Sequence, residues 1–369
     1  MSHQVLRLSF LIFTLFAVFS TNADTGQSIK TRIAVISSYH QAYLWSQDTN
    51  RGVIAGLLEH GYLDDIKQGG VYSRDDQVES TRAVIKKWWM DTKRRNSQSE
   101  IKETVIRIVA ELDAYRPDMI LLGDDNATKY IGGHYIDSEV PVVFWGVNGN
   151  PLKYDLLDSI ERPGHNVTGI YQAGYLREGI IELKKLLPEV QTMGVLADDS
   201  PTGRAKAKEL MRFQRQGQLP VEIVEMVVTN SYQTWKEGAL RMKDKVDAFF
   251  VLNHNTLKDE VGQPVDQLRA GNWYLQNIRK PDIGHERQFV VEGMLCAVDD
   301  SGFKQGYEAV KVAHRILEDG ESPAEIRSYA PTQGPFIVNL ERAEMLGILD
   351  RIQNSPQVEE TIEKALALE

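Results

Sequence analysis

From Arg32 onward, short apolar runs alternate with longer stretches of helical periodicity, and no other feature of the chain restricts its fold so strongly. Ile33-Ala34-Val35-Ile36 reads as a strand. A helix starting near Gln47 places Val53, Ile54, Leu57 and Leu58 on one face before Gly61 stops it. Residues 78–93 read as a further helix that buries Val84, Ile85 and Trp88, with Lys93-Arg94-Arg95 suiting its C-terminal dipole. The stretch 101–115 turns Val105, Ile108, Val109 and Leu112 inward, and Arg116-Pro117 ends it. Strand 119–122 breaks at Gly123-Asp124-Asp125-Asn126, and a short helix leads on to strand 142–145.

The second half repeats the pattern. Strands at 167–170, 193–197, 221–228 and 247–252 alternate with helices at 176–187, 204–216 and 232–245. Strands spaced by single helices specify parallel sheets made of βαβ units. Two such series predict an α/β protein of two three-layer lobes, and a chain of 369 residues is long enough for both. In open parallel sheets ligands sit beyond the carboxyl ends of the strands. The site is therefore expected among the loops 37–45, 123–126, 146–150, 171–174, 198–203 and 253–256.

A formal charge of −10 argues against nucleic acid or an anionic membrane surface as the main partner. Arg7 precedes an apolar run, 8–19, interrupted only by Ser9 and Thr14, and Ser20-Thr21-Asn22-Ala23 follows. This is the pattern of a secretory signal peptide, 1–23, cut after Ala23. The run falls short of the roughly 20 residues that a spanning helix needs. Loss of Arg7, the sole Lys, Arg, Asp or Glu there, takes the charge from −10 to −11. Export to the periplasm is the expectation. Cys296 is the only cysteine, so no internal disulfide forms, and its apolar neighbours mark it as a small buried hydrophobe.

Catalytic patterns are missing. No GxGxxG follows the first strand, Gly146-Val147-Asn148-Gly149 lacks the length and lysine of a P-loop, and neither GxSxG nor HExxH occurs. The histidines are scattered without ligand spacing, so no metal, cofactor or enzymatic activity is expected. His40, at a strand end, and His254 are read as hydrogen-bonding contacts. The pairs Asp124-Asp125, Asp198-Asp199 and Asp299-Asp300 would either bind a cation or amine, or cap helices and turns. Capping is preferred for Asp198-Asp199, and Asp124-Asp125 stays open.

Aromatic and amide side chains crowd the mapped loops: Tyr39, His40, Tyr43 and Trp45, then Trp145 and Asn148, then Tyr171 and Gln172. They suit a small organic ligand with a flat or apolar part and polar ends. The alternative is that they fill the interface between lobes. Trp45, in a polar loop, is assigned to contact, while Trp88, Trp89 and Trp235 are assigned to packing. The candidate ligand contacts are Tyr39, His40, Trp45, Asp125, Asn126, Asn148, Tyr171 and Asn253.

The run PVVFWGV at 141–147 with Gly149-Asn150-Pro151, followed by Arg162-Pro163-Gly164-His165-Asn166-Val167-Thr168-Gly169, resembles a pair of family signatures. They are the IPIVFxxVxDPV and RPGGNVTGV segments of ABC-transporter substrate-binding proteins whose best-known members bind tryptophan or tyrosine. Val246-Asp247-Ala248, the GxxAxxxAxxIL-like stretch 306–317 and Phe336-Ile337-Val338-Asn339-Leu340 resemble the family in the same order. The resemblance implies a type I periplasmic-binding fold, with two Rossmann-like lobes joined by three crossovers. By analogy one lobe takes 31–173 and 283–321, and the other takes 174–282 and 322–369. It further implies a monomeric receptor that closes on a small molecule and passes it to an ABC permease, without a cofactor. Asn150, where many members carry aspartate, and Gly164-His165, where they carry two glycines, depart from the pattern. An extracytoplasmic sensor that signals through a separate membrane kinase or cyclase is the alternative, and an enzyme on the same fold comes third.

Overall fold

A computed structural model describes residues 30–366, and the expected signal peptide lies outside them. Within this span the chain forms two sheets with helices on both faces. The first has the order β2-β3-β1-β4-β5-β6. Its strands are β1 (Thr31–Ser37), β2 (Gln77–Glu79), β3 (Ala83–Trp89), β4 (Met119–Gly123), β5 (Val142–Asn148) and β6 (Val167–Gln172). All its pairings are parallel except β2 with β3.

The second sheet has the order β13-β12-β11-β10-β9-β7-β8. It comprises β7 (Thr192–Ala197), β8 (Glu222–Val228), β9 (Ala248–Val251), β10 (Asp282–Ile283), β11 (Cys296–Val298), β12 (Phe336–Asn339) and β13 (Glu360–Ile362). Only β11 and β12 run antiparallel. Each sheet is covered on both faces, which gives two buried apolar clusters per lobe. Cys296 is buried within β11, as its apolar neighbours suggested. Among the described residues no helix is long and apolar enough to cross a membrane.

Two sequence readings fail. Residues 78–93 are not a helix but a hairpin of β2 and β3, preceded by a helix, Ile66–Arg74, that the pattern did not reveal. Asp65 caps that helix by accepting a hydrogen bond from the Gln68 N–H. The apolar residues of β3 alternate between faces: Ala83 and Ile85 join one cluster, while Trp88 joins the other with Val84 packed against it. A strand buried on both sides carries no clean period of two, so 3.6-residue spacing fits it by accident.

The crossovers also shift. β10 and β11 pair with β9 and β12, so the chain stays in the second sheet past residue 283 and leaves it after Val298. The helix Gly302–Glu318 then packs on the helix Leu44–Glu59 of the first lobe. Tyr329 bridges Ile170, so the return lies beyond 329 and not at 322.

The two helices approach closely because glycines face each other. A Cβ on Gly306 would lie 2.2 Å from the Thr49 carbonyl oxygen, and one on Gly52 would lie 1.9 Å from that of Phe303. Gln305, buried on the second helix, accepts from the Gly146 N–H and donates to the Tyr171 carbonyl. That helix is thereby tied to the strands leading into the cleft.

Candidate functional site

The carboxyl ends of both sheets face one another across the cleft. From the first lobe, the loop after β1 and the start of the next helix deliver Tyr39, Tyr43 and Trp45, which pack as one buried aromatic cluster. The Tyr39 and Tyr43 rings meet edge to face at 5.1 Å. The Trp45 indole N–H donates to Asp124 Oδ1 at 2.7 Å.

Asp124 follows β4 directly and adopts φ +68°, a left-handed conformation that non-glycine residues rarely take. It is 2 % exposed, and its Oδ2 has no hydrogen-bond partner among the described residues. Burial pushes its carboxyl well above the usual carboxylate range, and the Trp45 hydrogen bond only partly opposes this. Gly146 passes it at φ +69°, where a Cβ would come within 2.6 Å of Asp124 Oδ1. The glycine of the apolar run is therefore needed for both backbone angle and clearance.

Lys93 Nζ sits 4.5 Å above the Tyr39 ring and 5.2 Å above that of Tyr43, so the aromatics shelter a cation. Burial lowers its pKa, against the nearby carboxylates. The second lobe contributes Thr202, Asn253 and Glu286, and β6 contributes Gln172. Gln172 Oε1 and Asn253 Oδ1 have no hydrogen-bond partner among the described residues.

Burial alone would raise Glu286, yet its neighbours hold it at about 2. Burial keeps His285, beside it, at about 4. His285 is thus neutral at pH 7, and the charges that Glu286 faces are those of Lys206, 3.7 Å away, and Lys93.

These groups enclose a cavity of about 10 Å³, room for little more than one water. The lobes are closed upon it, with the Asn255 side-chain amide donating to the Tyr43 hydroxyl across the cleft. A polar mouth of about 470 Å³ shares Tyr39, Lys93, Asn148 and Thr202 with this inner cavity. A third chamber, of about 1020 Å³, has only Trp45 in common with it. The inner cavity, though the smallest, concentrates the buried charges and the unpartnered amides.

Of the residues expected from sequence, Tyr39, Trp45, Asn148 and Asn253 line the inner cavity. Asp125 and Asn126 line the polar mouth. Asp125 is committed to its own lobe: it accepts from the Tyr154 hydroxyl and the Asn148 amide, both at 2.6 Å, and pairs with Lys153 at 2.9 Å. Asn126 donates to Thr92. His40 lines the largest chamber. Tyr171 lines none of these cavities and packs against the core of the first lobe instead. Strand alternation turns its neighbour Gln172 into the cleft in its place.

His254 is fully buried, its Nε2 2.8 Å from Glu292 Oε2. Asp198 accepts from Ser200 with one oxygen and from the Asn255 and Thr256 N–H groups with the other, a loop-holding role that matches the capping reading. Asn150 is an exposed N-cap that accepts from the Leu152 N–H, a task aspartate performs equally well.

Tyr43, Lys93, Asp124, Gln172, Thr202 and Glu286 were not among the expected contacts. Asp124, Gln172 and Thr202 lie in loops that the strand-end rule had marked. Lys93 follows β3, which was read as helix, and Glu286 follows β10, a strand of two residues. Among the described residues no cluster of His, Cys, Asp and Glu is arranged to hold a metal ion.

A family model described as ABC transporter substrate binding protein matches residues 52–358. A "Tyrosine-binding protein" from Clostridioides difficile is 22 % identical over 289 residues, 78 % of this chain and 77 % of the relative. Among solved structures, an ABC domain from Streptococcus pneumonia in complex with L-Trp superposes with TM-score 0.66 at 19 % identity. It covers 90 % of this chain and 100 % of its own. The ligand-free, open structure of a Clostridium difficile substrate-binding protein with adhesive properties gives 0.64 at 17 %, with the same coverage. At these identities the superpositions show the fold, two mostly parallel sheets in two lobes.

Proposed function

The chain belongs to the ABC transporter substrate-binding protein family, and from that premise we propose that it captures a free amino acid with an aromatic side chain and delivers it to a membrane permease. One observation carries the reading: two buried carboxylates and one buried ammonium share a cavity walled by three aromatic rings. A zwitterion is the small molecule that satisfies both signs at once. Asp124 and Glu286 would receive its ammonium, Lys93 and the cleft amides its carboxylate, and Tyr39, Tyr43 and Trp45 its ring. The named ligands of the Clostridioides and Streptococcus relatives support this class.

The action is binding and release. The closed cavity has no room for an amino acid, so the lobes part to admit it and close again less tightly around it, with contacts from both lobes and water expelled. A ligand selects the closed form only by binding it better, and that form is what a permease would read. Substrate-binding proteins of this family work outside the cytoplasm, and export through a cleaved signal peptide to the periplasm is part of the proposal. The test is a thermal-shift panel of the natural amino acids with their decarboxylated and N-acetylated analogues. Tyrosine, tryptophan or phenylalanine at 100 times its dissociation constant should stabilise by about 2.7 kcal/mol, and both analogue sets should fail. A response confined to sugars or nucleosides would overturn the assignment.

A further inference from the structure

Trp45 is the one residue shared by the inner cavity and the chamber of about 1020 Å³. That chamber lies between the lobes. One wall is the start of the helix Leu44–Glu59, and the other is the helix Arg287–Val291 with Ile362 of β13. Three features of this space go beyond what amino-acid binding requires.

First, buried polar groups from both lobes meet there without partners. Gln288, from the second lobe, is 5 % exposed; the Tyr43 hydroxyl lies beside its amide, but neither amide atom makes a well-formed hydrogen bond among the described residues. His40 Nδ1, from the first lobe, is buried in the same way. Buried amides are nearly always bonded, so the pair marks a place built to meet a polar atom.

Second, the chamber carries guanidinium groups. Arg51, Arg94 and Arg287 line it against a single acid, Asp48. Arg51 pairs with Asp48, and Arg287 is held by Glu360 and Asp299. Arg94 is half exposed, and its only ion pair among the described residues is Asp91 at 3.5 Å. The 16-residue helix beside it starts at Tyr43 with no side-chain cap and no acidic residue in its first turn. Its N-terminal partial charge is therefore free to act on an anion.

Third, Leu44, Trp45, Ile54, Val291 and Ile362 give the chamber an apolar part, beside the polar Gln41, Gln47, Asn50 and Ser73. Such a lining holds a hydrocarbon body while the charged end is fixed elsewhere.

We propose that this chamber is a second ligand site, separate from the amino-acid cavity, that takes an amphiphilic organic carboxylate. The carboxylate lies by Arg94 and the open helix end, the Gln288 amide meets its polar end, and the chain rests on the apolar walls. The site does not depend on what the inner cavity binds.

Isothermal titration of the mature protein with sodium octanoate tests it, with octanamide as the uncharged match. One saturable octanoate site is expected, with at least tenfold weaker binding of octanamide. Arg94→Gln, at a half-exposed position, should weaken octanoate about tenfold, and Gln288→Leu should weaken it as well. Asp124→Asn, which keeps an acceptor for the Trp45 indole and removes the carboxylate from the inner cavity, should leave octanoate binding within about threefold while tyrosine binding weakens thirtyfold or more. No saturable octanoate binding, equal binding of octanamide, or indifference to both Arg94→Gln and Gln288→Leu would overturn the proposal. Competition between octanoate and tyrosine together with loss of both in Asp124→Asn would also overturn it, since the carboxylate would then occupy the inner cavity. Octanoate binding retained without any amino-acid binding would sink the amino-acid reading and leave this site standing.

Discussion

Asp124 concentrates the chemistry of the cleft. It is buried, held at a positive φ and left with one unpartnered oxygen, and burial raises its pKa. Binding an ammonium beside it favours the ionised form, so uptake of an amino acid should release a proton. Affinity should accordingly rise with pH, and titrations in buffers of different ionisation enthalpy would count the protons released. Asp124→Asn should abolish that pH dependence.

A second pair of carboxylates, Asp299 and Asp300, occupies the crossover into the helix Gly302–Glu318. Burial raises Asp299 to about 7 and Asp300 to about 6. Both lie above the unfolded value of about 3.9, so the folded form holds more protons in the window between. Their effect on stability is least unfavourable at the acid end and worsens as pH rises through 6 to 7. Asp299→Asn should therefore gain on the wild type with rising pH, by on the order of 1–3 kcal/mol between pH 5 and 8. Urea unfolding at several pH values measures the difference, and a variant that fails to gain on the wild type as pH rises would refute the assignment.

At the scale of elements, the sequence showed the parallel architecture because most strands were bounded by clear breakers such as Arg116-Pro117 and Gly123-Asp124. It did not show β3, whose two buried faces hide strand alternation, nor β10, which is too short to leave a pattern. Both gaps removed cleft residues from view, Lys93 in one case and Glu286 in the other. Tyr171 lies against the core of the first lobe for a smaller reason: one step along β6 exchanges cleft for core, and register cannot be read without the partner strand. Asp124 was visible as part of an acidic pair, but nothing in sequence told it apart from Asp125, which is spent on Tyr154, Asn148 and Lys153.

The contact between the helices Leu44–Glu59 and Gly302–Glu318 rests on two glycine pairs spaced by four, Gly52 with Gly56 and Gly302 with Gly306, which the sequence analysis did not read as a contact. Gly306→Ala would drive a methyl group against a backbone oxygen that cannot rotate away. It should destabilise the protein by about 1–3 kcal/mol despite the better helix propensity of alanine. A lower midpoint in chemical unfolding with an unchanged slope is the expected result.

Taken as a whole, the molecule is a pair of lobes meeting over a cavity too small for its proposed cargo. Three crossovers join them, at 173–175, 299–301 and 330–335, and few residues there need change conformation to open the cleft. The most direct measurement of this account is isothermal titration of L-tyrosine and L-tryptophan into the mature wild-type protein and into Asp124→Asn. The account predicts one site per chain for at least one of them, weakened thirtyfold or more in the variant, which corresponds to at least about 2 kcal/mol. Absence of binding by the wild type, or equal binding by a stably folded Asp124→Asn, would contradict it.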